Sequence, residues 1–271
     1  MSEPLVLCSR DGDVATLTLH NPARRNAMTQ AMGEAFRTEV ERLSGDATLR
    51  AVVLTGSPEG RAFCAGGDLG MIGGHADRGA QSPGDARTAA RGTMKRFYEL
   101  FLSVRDLPCP TVAAINGHAI GAGLCITLGC DLRVAAEDAK LAFNFARLGI
   151  HPGMGATWTL PRLLGPALAA DLLYTGRTLR GDEAAAIGLV SRAVPGDRVL
   201  AEARALADEI AASAPLPVRG IKQALQESPG RTLDAQLTFE AEQQALCYET
   251  DDMQEGLTAS REKRPPSFQG R

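Results

Sequence analysis

The chain has 271 residues, 44% hydrophobic and 23% charged, with a net charge of −3. That size and balance suit one large α/β domain or two small ones and lack the strong positive charge of a nucleic-acid or anionic-membrane surface. No apolar run approaches the roughly 18 residues of a membrane span, and Met1-Ser2-Glu3-Pro4 has no basic n-region or apolar h-region, so no signal peptide is expected. The six cysteines (8, 64, 109, 125, 130 and 247) form no C-x-x-C pair and fit no zinc template. Reduced, mostly buried thiols in a cytoplasmic protein without a metal are expected.

Leu5-Val6-Leu7, the turn Asp11-Gly12-Asp13 and Val14–His20 predict a hairpin. Thr29 can cap a helix whose apolar face is Met32, Ala35, Phe36, Val40 and Leu43, ended by Gly45. Ala51–Gly56 reads as a buried strand, followed by the glycine-rich segment Ala62–Leu69. From Met71 to Gly92 the chain turns polar and glycine-rich, which predicts a mobile loop of the kind that covers active sites. Lys95–Val104 has helical spacing, with Phe97, Leu100 and Phe101 inward.

A second strand, Thr111–Ile115, leads into a second glycine-rich segment, Asn116–Leu124, which opens an apolar helix over Ala119–Leu128. Asp131–Ala135 is another strand, and strand, turn, helix, strand suggests right-handed crossovers. The units are too short for a Rossmann domain. After Pro152 the pattern is helical: Pro161–Tyr174, Asp182–Ile187, Val199–Ala212, Val218–Glu227, Thr232–Tyr248 and Met253–Glu262. The chain thus divides into an α/β core over 1–195 and a helical part over 196–271.

The two glycine-rich segments each place small residues at a strand's carboxyl end. Gly66-Gly67 and Gly121-Ala122-Gly123 let a carbonyl approach backbone N–H groups closely, and two such groups converging would make an oxyanion hole. The second segment opens a helix, where free N–H groups favour developing negative charge. Neither segment is G-x-G-x-x-G or a Walker loop, which argues against a dinucleotide or a nucleoside triphosphate.

Pro22–Ala27, Ala62–Leu69, Asn116–Leu124, Cys130–Arg133, Leu148–Gly153, Gly176-Arg177 through Gly188-Leu189-Val190, and Glu262–Pro265 occur in family order. On these stretches, which span almost the whole chain, the protein resembles the enoyl-CoA hydratase/isomerase (crotonase) superfamily. The resemblance implies the α/β crotonase (ClpP-like) fold of repeated ββα units with a C-terminal helical trimerisation region. It implies an acyl-CoA thioester as substrate, coenzyme A entering as part of it, no other cofactor, and a homotrimer or homohexamer. The Gly67 and Ala122 N–H groups would form the oxyanion hole that stabilises an enolate. Asn26, Ala27 and Ala65 would border the pantetheine and adenine. Arg61, with Arg24 nearby, would meet CoA phosphates, and Lys263 would reach the CoA of a neighbouring subunit; Ser260 replaces an aromatic there. Asp68 and Leu69 adjoin the first amide.

The pattern breaks where the family's hydratases carry two glutamates. Those positions hold Cys125 and Phe145, and the aspartate of some relatives is Gly153. Acid–base help is worth about 10²–10⁴-fold per group, so hydration by that mechanism should nearly vanish. His151 lies on the segment that, by the resemblance, faces the acyl group and could act as a base, or it is a turn residue before Pro152. Asp68 is a further candidate or a cap; Tyr98 and Glu99 are candidates or packing and surface residues. Cys125 is a nucleophile at a helix start or a packed thiol. His118 reads as a buried, satisfied histidine, and His20 and His75 carry no motif. Phe143, Phe145 and Trp158 would line an apolar or aromatic acyl pocket, or simply pack. Two functions stay open: an enolate-stabilising enzyme with non-standard acid–base groups, and a non-catalytic acyl-CoA-binding protein.

Overall fold

The computed structural model describes residues 3–271. Strands β1 (Val6–Asp11) and β2 (Val14–Leu19) form the expected antiparallel hairpin, Asp11 facing Val14 across the turn at Gly12. Gly12 sits at φ +59°, a conformation that costs glycine little. Helix α1 (Gln30–Ser44) begins where the Thr29 hydroxyl accepts from the Met32 N–H, and it buries Met32, Phe36, Val40 and Leu43. Strand β3 (Ala51–Gly56) is buried at all six positions, as a central parallel strand should be.

The stretch expected to be a mobile loop is instead two helices, α2 (Leu69–Gln81) and α3 (Pro83–Leu102). Glycine costs about 1 kcal/mol relative to alanine inside a helix, and five glycines from Gly73 to Gly92 led to the loop reading. Two features outweigh them. The Asp68 carboxylate caps α2 by accepting from the Met71 N–H at 3.1 Å. On α3 the Phe101 ring lies 5.8 Å from Phe36 of α1 and 5.1 Å from Phe97.

Strand β4 (Thr111–Ile115) is buried throughout. The helix expected from Ala119 begins later. Ala119–Ile120 form strand β5, and α4 (Ala122–Cys125) continues as a 3₁₀ turn over Ile126–Gly129. Ile120 N–H donates to Cys64 and Gly121 N–H to Ala142, so neighbouring backbones take the bonds that a helix would have used. There follow β6 (Leu132–Ala136), β7 (Lys140–Ala142), α5 (Ala156–Leu164), α6 (Pro166–Thr175), β8 (Thr178–Arg180), α7 (Gly181–Ala186), β9 (Arg192–Val194), α8 (Val199–Ala211), α9 (Pro215–Glu227), α10 (Leu233–Tyr248) and α11 (Asp251–Glu262).

The main sheet runs β1-β2-β3-β4-β6-β9, parallel from β2 onward. A smaller sheet runs β5-β7-β8. Thus β1β2α1, β4β5α4 and β6β7α5 are successive ββα units. The segment after β3 makes only isolated bridges, Met28 to Gly67 and Cys64 to Ala119, and that leaves it free to build a site. Helix α8 buries Val199, Ala203 and Ala207 against β2, β3, β4, β6 and β9, so the sheet's packing continues past residue 196. Helix α10, by contrast, buries no residue in the single chain, and Leu225 and Leu233 are 70% and 75% exposed. No helix among the described residues is long and apolar enough to cross a membrane.

Candidate active site

The two glycine-rich segments, far apart in sequence, lie side by side. Cys64 N–H donates to His118 O and Ile120 N–H to Cys64 O, both at 3.1 Å. Only glycine permits the approach: a Cβ on Gly123 would stand 2.4 Å from the Cys64 carbonyl oxygen. At Gly66, φ is +103° and a Cβ would stand 2.7 Å from Ile120 O and 3.8 Å from the Ala122 nitrogen. The two expected amides are therefore neighbours.

Their N–H groups are free. The bridge to Met28 uses Gly66 O and the Asp68 N–H, leaving the Gly67 N–H without a backbone partner. Ala122 is the first residue of α4, and its N–H has no carbonyl within the helix to bond. Both residues line one cavity of about 720 Å³, between α2, α3 and the Asn144–His151 segment. An oxygen carrying developing negative charge fits between two such donors.

The mouth is basic. Ala23, Arg24, Arg25, Ala27 and Ala65 line it. Arg25 and Asn26 stand at φ 52° and 56°, which non-glycine residues adopt at a cost of about 1–3 kcal/mol each. Asn26 holds this turn. Its Nδ2 donates to Ser57 O at 3.0 Å and Ala62 O at 2.9 Å, and its Oδ1 accepts from the Asn21 N–H at 3.1 Å and Ser57 Oγ at 3.2 Å. Asn26 is fully buried and does not line the cavity, which corrects its expected place at the ligand: its amide positions the arginine turn against the first glycine-rich segment. Arg61 is exposed at a left-handed turn and does not line the cavity, and neither does Lys263, which ends α11.

Asp68 lines the cavity but is committed elsewhere. Burial pushes its carboxyl up, yet the Met71 N–H and the Arg24 guanidinium, 2.7 Å away, together hold it below the ordinary carboxylate value. It is a cap and an ion-pair partner, and a weak base. Leu69, 74% exposed, forms part of the rim.

Beyond the two amides the wall is apolar: Ile72, Met94, Phe97, Phe145, Leu148 and Ile150. The Phe145 ring stands beside Gly121, 3.7 Å from where a Cβ there would lie. Cys125 is completely buried, and that burial pushes its thiol far above the ordinary value, so it packs and is no nucleophile. Phe143 is core, and Trp158 faces away, its ring 4.1 Å from the Arg162 guanidinium carbon and 5.8 Å from that of Arg105. Of the three aromatics expected at the acyl pocket, only Phe145 lines it. Glu99 is exposed and pairs with Lys95 at 3.4 Å. His118 is exposed rather than buried, its Nδ1 accepting from the Lys140 N–H.

Two proton-carrying side chains remain among the lining residues, Tyr98 and the exposed His151. His151 Nδ1 lies 2.7 Å from the Pro152 carbonyl oxygen, which can only accept. A neutral ring bonded this way carries its proton on Nδ1 and presents Nε2 as the acceptor. The other is Tyr98, half-buried on α3. Asn144 also lines the cavity, its Oδ1 near Gly121. It escaped sequence reading, as did Arg25 and Ile72. Asn144 lies between two phenylalanines, and Ile72 lay within the supposed loop.

Fold and site together define an α/β protein in which two backbone amides without hydrogen-bond partners among the described residues line one cavity together with Arg24 and Arg25. The model of the enoyl-CoA hydratase/isomerase family matches residues 9–271, and the chain belongs to that family. It is 36% identical to 2,3-dehydroadipyl-CoA hydratase of Escherichia coli over 100% of both chains. It is 35% identical to 1,2-epoxyphenylacetyl-CoA isomerase of the same organism over 98% of both. The crystal structure of an enoyl-CoA hydratase from Bacillus anthracis matches with a TM-score of 0.88 and 34% identity, covering 98% of this chain and 100% of that one. The fold is the crotonase fold. A hydratase and an isomerase are equally similar, so overall identity does not choose the reaction.

Proposed function

We propose that the protein binds an acyl-CoA thioester, holds its carbonyl oxygen between the Gly67 and Ala122 N–H groups, and moves a double bond by proton transfer through the enolate. The two free amides, adjacent in one apolar cavity, carry this reading. They are the electrophile themselves, and coenzyme A enters as part of the substrate. Arg24 and Arg25 at the mouth suit its phosphates. Water addition needs a second carboxylate-like group to activate the water. The Cys125 thiol and the Phe145 ring at those positions oppose it, whereas isomerisation takes a proton from one carbon and returns one to another.

His151 is the base in this reading. Replacing it with glutamine should lower 3-enoyl-CoA to 2-enoyl-CoA turnover by about 10²-fold or more, followed by the absorbance of the conjugated thioester. Undiminished turnover in His151→Gln would remove it from the mechanism. Tight acyl-CoA binding by the wild type with no turnover across chain lengths would favour the binding-only alternative.

The exposed leucines of α9 and α10 support a trimer or hexamer formed through the C-terminal helices, with Lys263 reaching a neighbour's CoA. Several large apolar side chains exposed on neighbouring helices are what a protein interface would cover. The expected native mass is three or six chains by light scattering, and Leu225→Glu combined with Leu233→Glu should reduce it. A monomeric wild type would rule this assembly out.

A further inference from the structure

We propose that Tyr98 is the second proton carrier of this cavity, delivering a proton to the acyl carbon distal to the thioester. The inference rests on the enolate reading above. Its basis is the packing around Gly153: a Cβ there would lie 2.5 Å from Tyr98 Cζ and 2.6 Å from the hydroxyl oxygen. No side chain fits at 153 while the ring is in place, so the phenol occupies the volume that a group on that residue would fill. The ring is braced edge-on by the buried Phe97, at 6.4 Å and 72°. Tyr98 lines the same cavity as Gly67, Ala122 and His151.

The chemistry suits a donor. Burial, then the neighbouring Cys125 thiol, pushes the phenol above its ordinary value. It therefore stays protonated at neutral pH and cannot serve as the resting base. The charged neighbours on its own helix, Lys95 and Glu99, pair with each other. In the step assigned here, His151 Nε2 removes a proton from Cα of a 3-enoyl thioester. The electron pair of that C–H bond forms a dienolate whose oxygen is held by the two amides. The Tyr98 O–H bond breaks as a C–H bond forms at Cγ, the carbonyl is restored, and the double bond lies between Cα and Cβ. The imidazolium proton returns to the phenolate through solvent at the open mouth, so nothing is consumed.

The test compares two reactions of the full-length protein in D₂O. One is isomerisation of a 3-enoyl-CoA. The other is α-hydrogen exchange of a saturated acyl-CoA, which needs the amides and the base but no Cγ donor. Tyr98→Phe, which preserves the ring volume, should lose about 10²-fold or more in isomerisation and keep exchange. Isomerisation at the wild-type rate in this variant overturns the proposal. Incorporating 3-fluorotyrosine at 98, whose phenol is more acidic, should move the alkaline limb of the isomerisation profile to lower pH. The sign follows from the role: a donor works while protonated, and activity is lost as pH rises through its pKa. An unmoved limb overturns the assignment, since a packing role would not shift with phenol acidity. Exchange without isomerisation in the wild type overturns the role of Tyr98 alone. Neither reaction in the wild type overturns the enolate reading and this inference with it.

Discussion

Ala122→Pro is expected to lower turnover by about 10²–10³-fold, or roughly 2.7–4 kcal/mol of transition-state stabilisation, while the protein stays folded. Proline removes the N–H of residue 122 and little else. Ala122 is the first residue of α4, where an N–H has no helical partner and proline is well accommodated. Proline also restricts the residue before it. Here that residue is Gly121, at φ 54° and ψ −121°, near the mirror image of the extended region that proline prefers on its amino side and open to glycine. The loss should fall mainly on kcat, because the charge on the oxygen is greatest in the enolate. Steady-state kinetics on 3-enoyl-CoA beside a thermal melt would check this. Full activity in a folded Ala122→Pro protein would show that the carbonyl sits elsewhere.

Lys222→Ala should be a damaging change far from the cavity, costing about 1–3 kcal/mol, because the buried ammonium's hydrogen bond to a backbone carbonyl and its pairing with the solvent-facing Asp131 are both lost. For a chain of this size that corresponds to a Tm lower by about 2–10 °C. Lys222 is 5% exposed on α9; its Nζ donates to Cys109 O at 2.8 Å and lies 3.1 Å from Asp131 Oδ2. Asp131 Oδ2 also accepts from the Thr111 N–H and hydroxyl, each at 2.8 Å. These four residues tie a C-terminal helix to the starts of β4 and β6. Lys222→Met keeps the aliphatic volume and leaves Asp131 its two threonine donors, so it should cost less than alanine. Equal melting temperatures for wild type and Lys222→Ala would show that the pair contributes nothing.

Much of the site is local and was legible. A strand followed by small residues marks backbone that a carbonyl can approach, and this pointed to the two glycine-rich segments; the family resemblance singled out Gly67 and Ala122 within them. The same local signal misled at Met71–Gly92. Glycine content lowers helix propensity, but the Asp68 cap and the packing of Phe97 and Phe101 decide the outcome. Asn26 was legible as important and misjudged in kind, because its four hydrogen bonds run largely to Ser57 and Ala62, some 31 to 36 residues away. Phe143, Phe145 and Trp158 looked alike in the chain. One lines the cavity, one is core and one lies against two arginines, since each faces a different neighbour.

The sequence by itself determined the family, the strand-end position of both amides and the loss of carboxylates at 125, 145 and 153. These depend on residue identity along short stretches. Only the tertiary structure decided which polar groups line the cavity. It bound Asp68 to Arg24, closed Cys125 into the core, set His151 Nδ1 against the Pro152 carbonyl oxygen and laid the Tyr98 ring over Gly153. Each of those outcomes depends on the packing of elements distant in the chain, and burial and partner geometry, rather than residue type, set whether a side chain can hold or give up a proton.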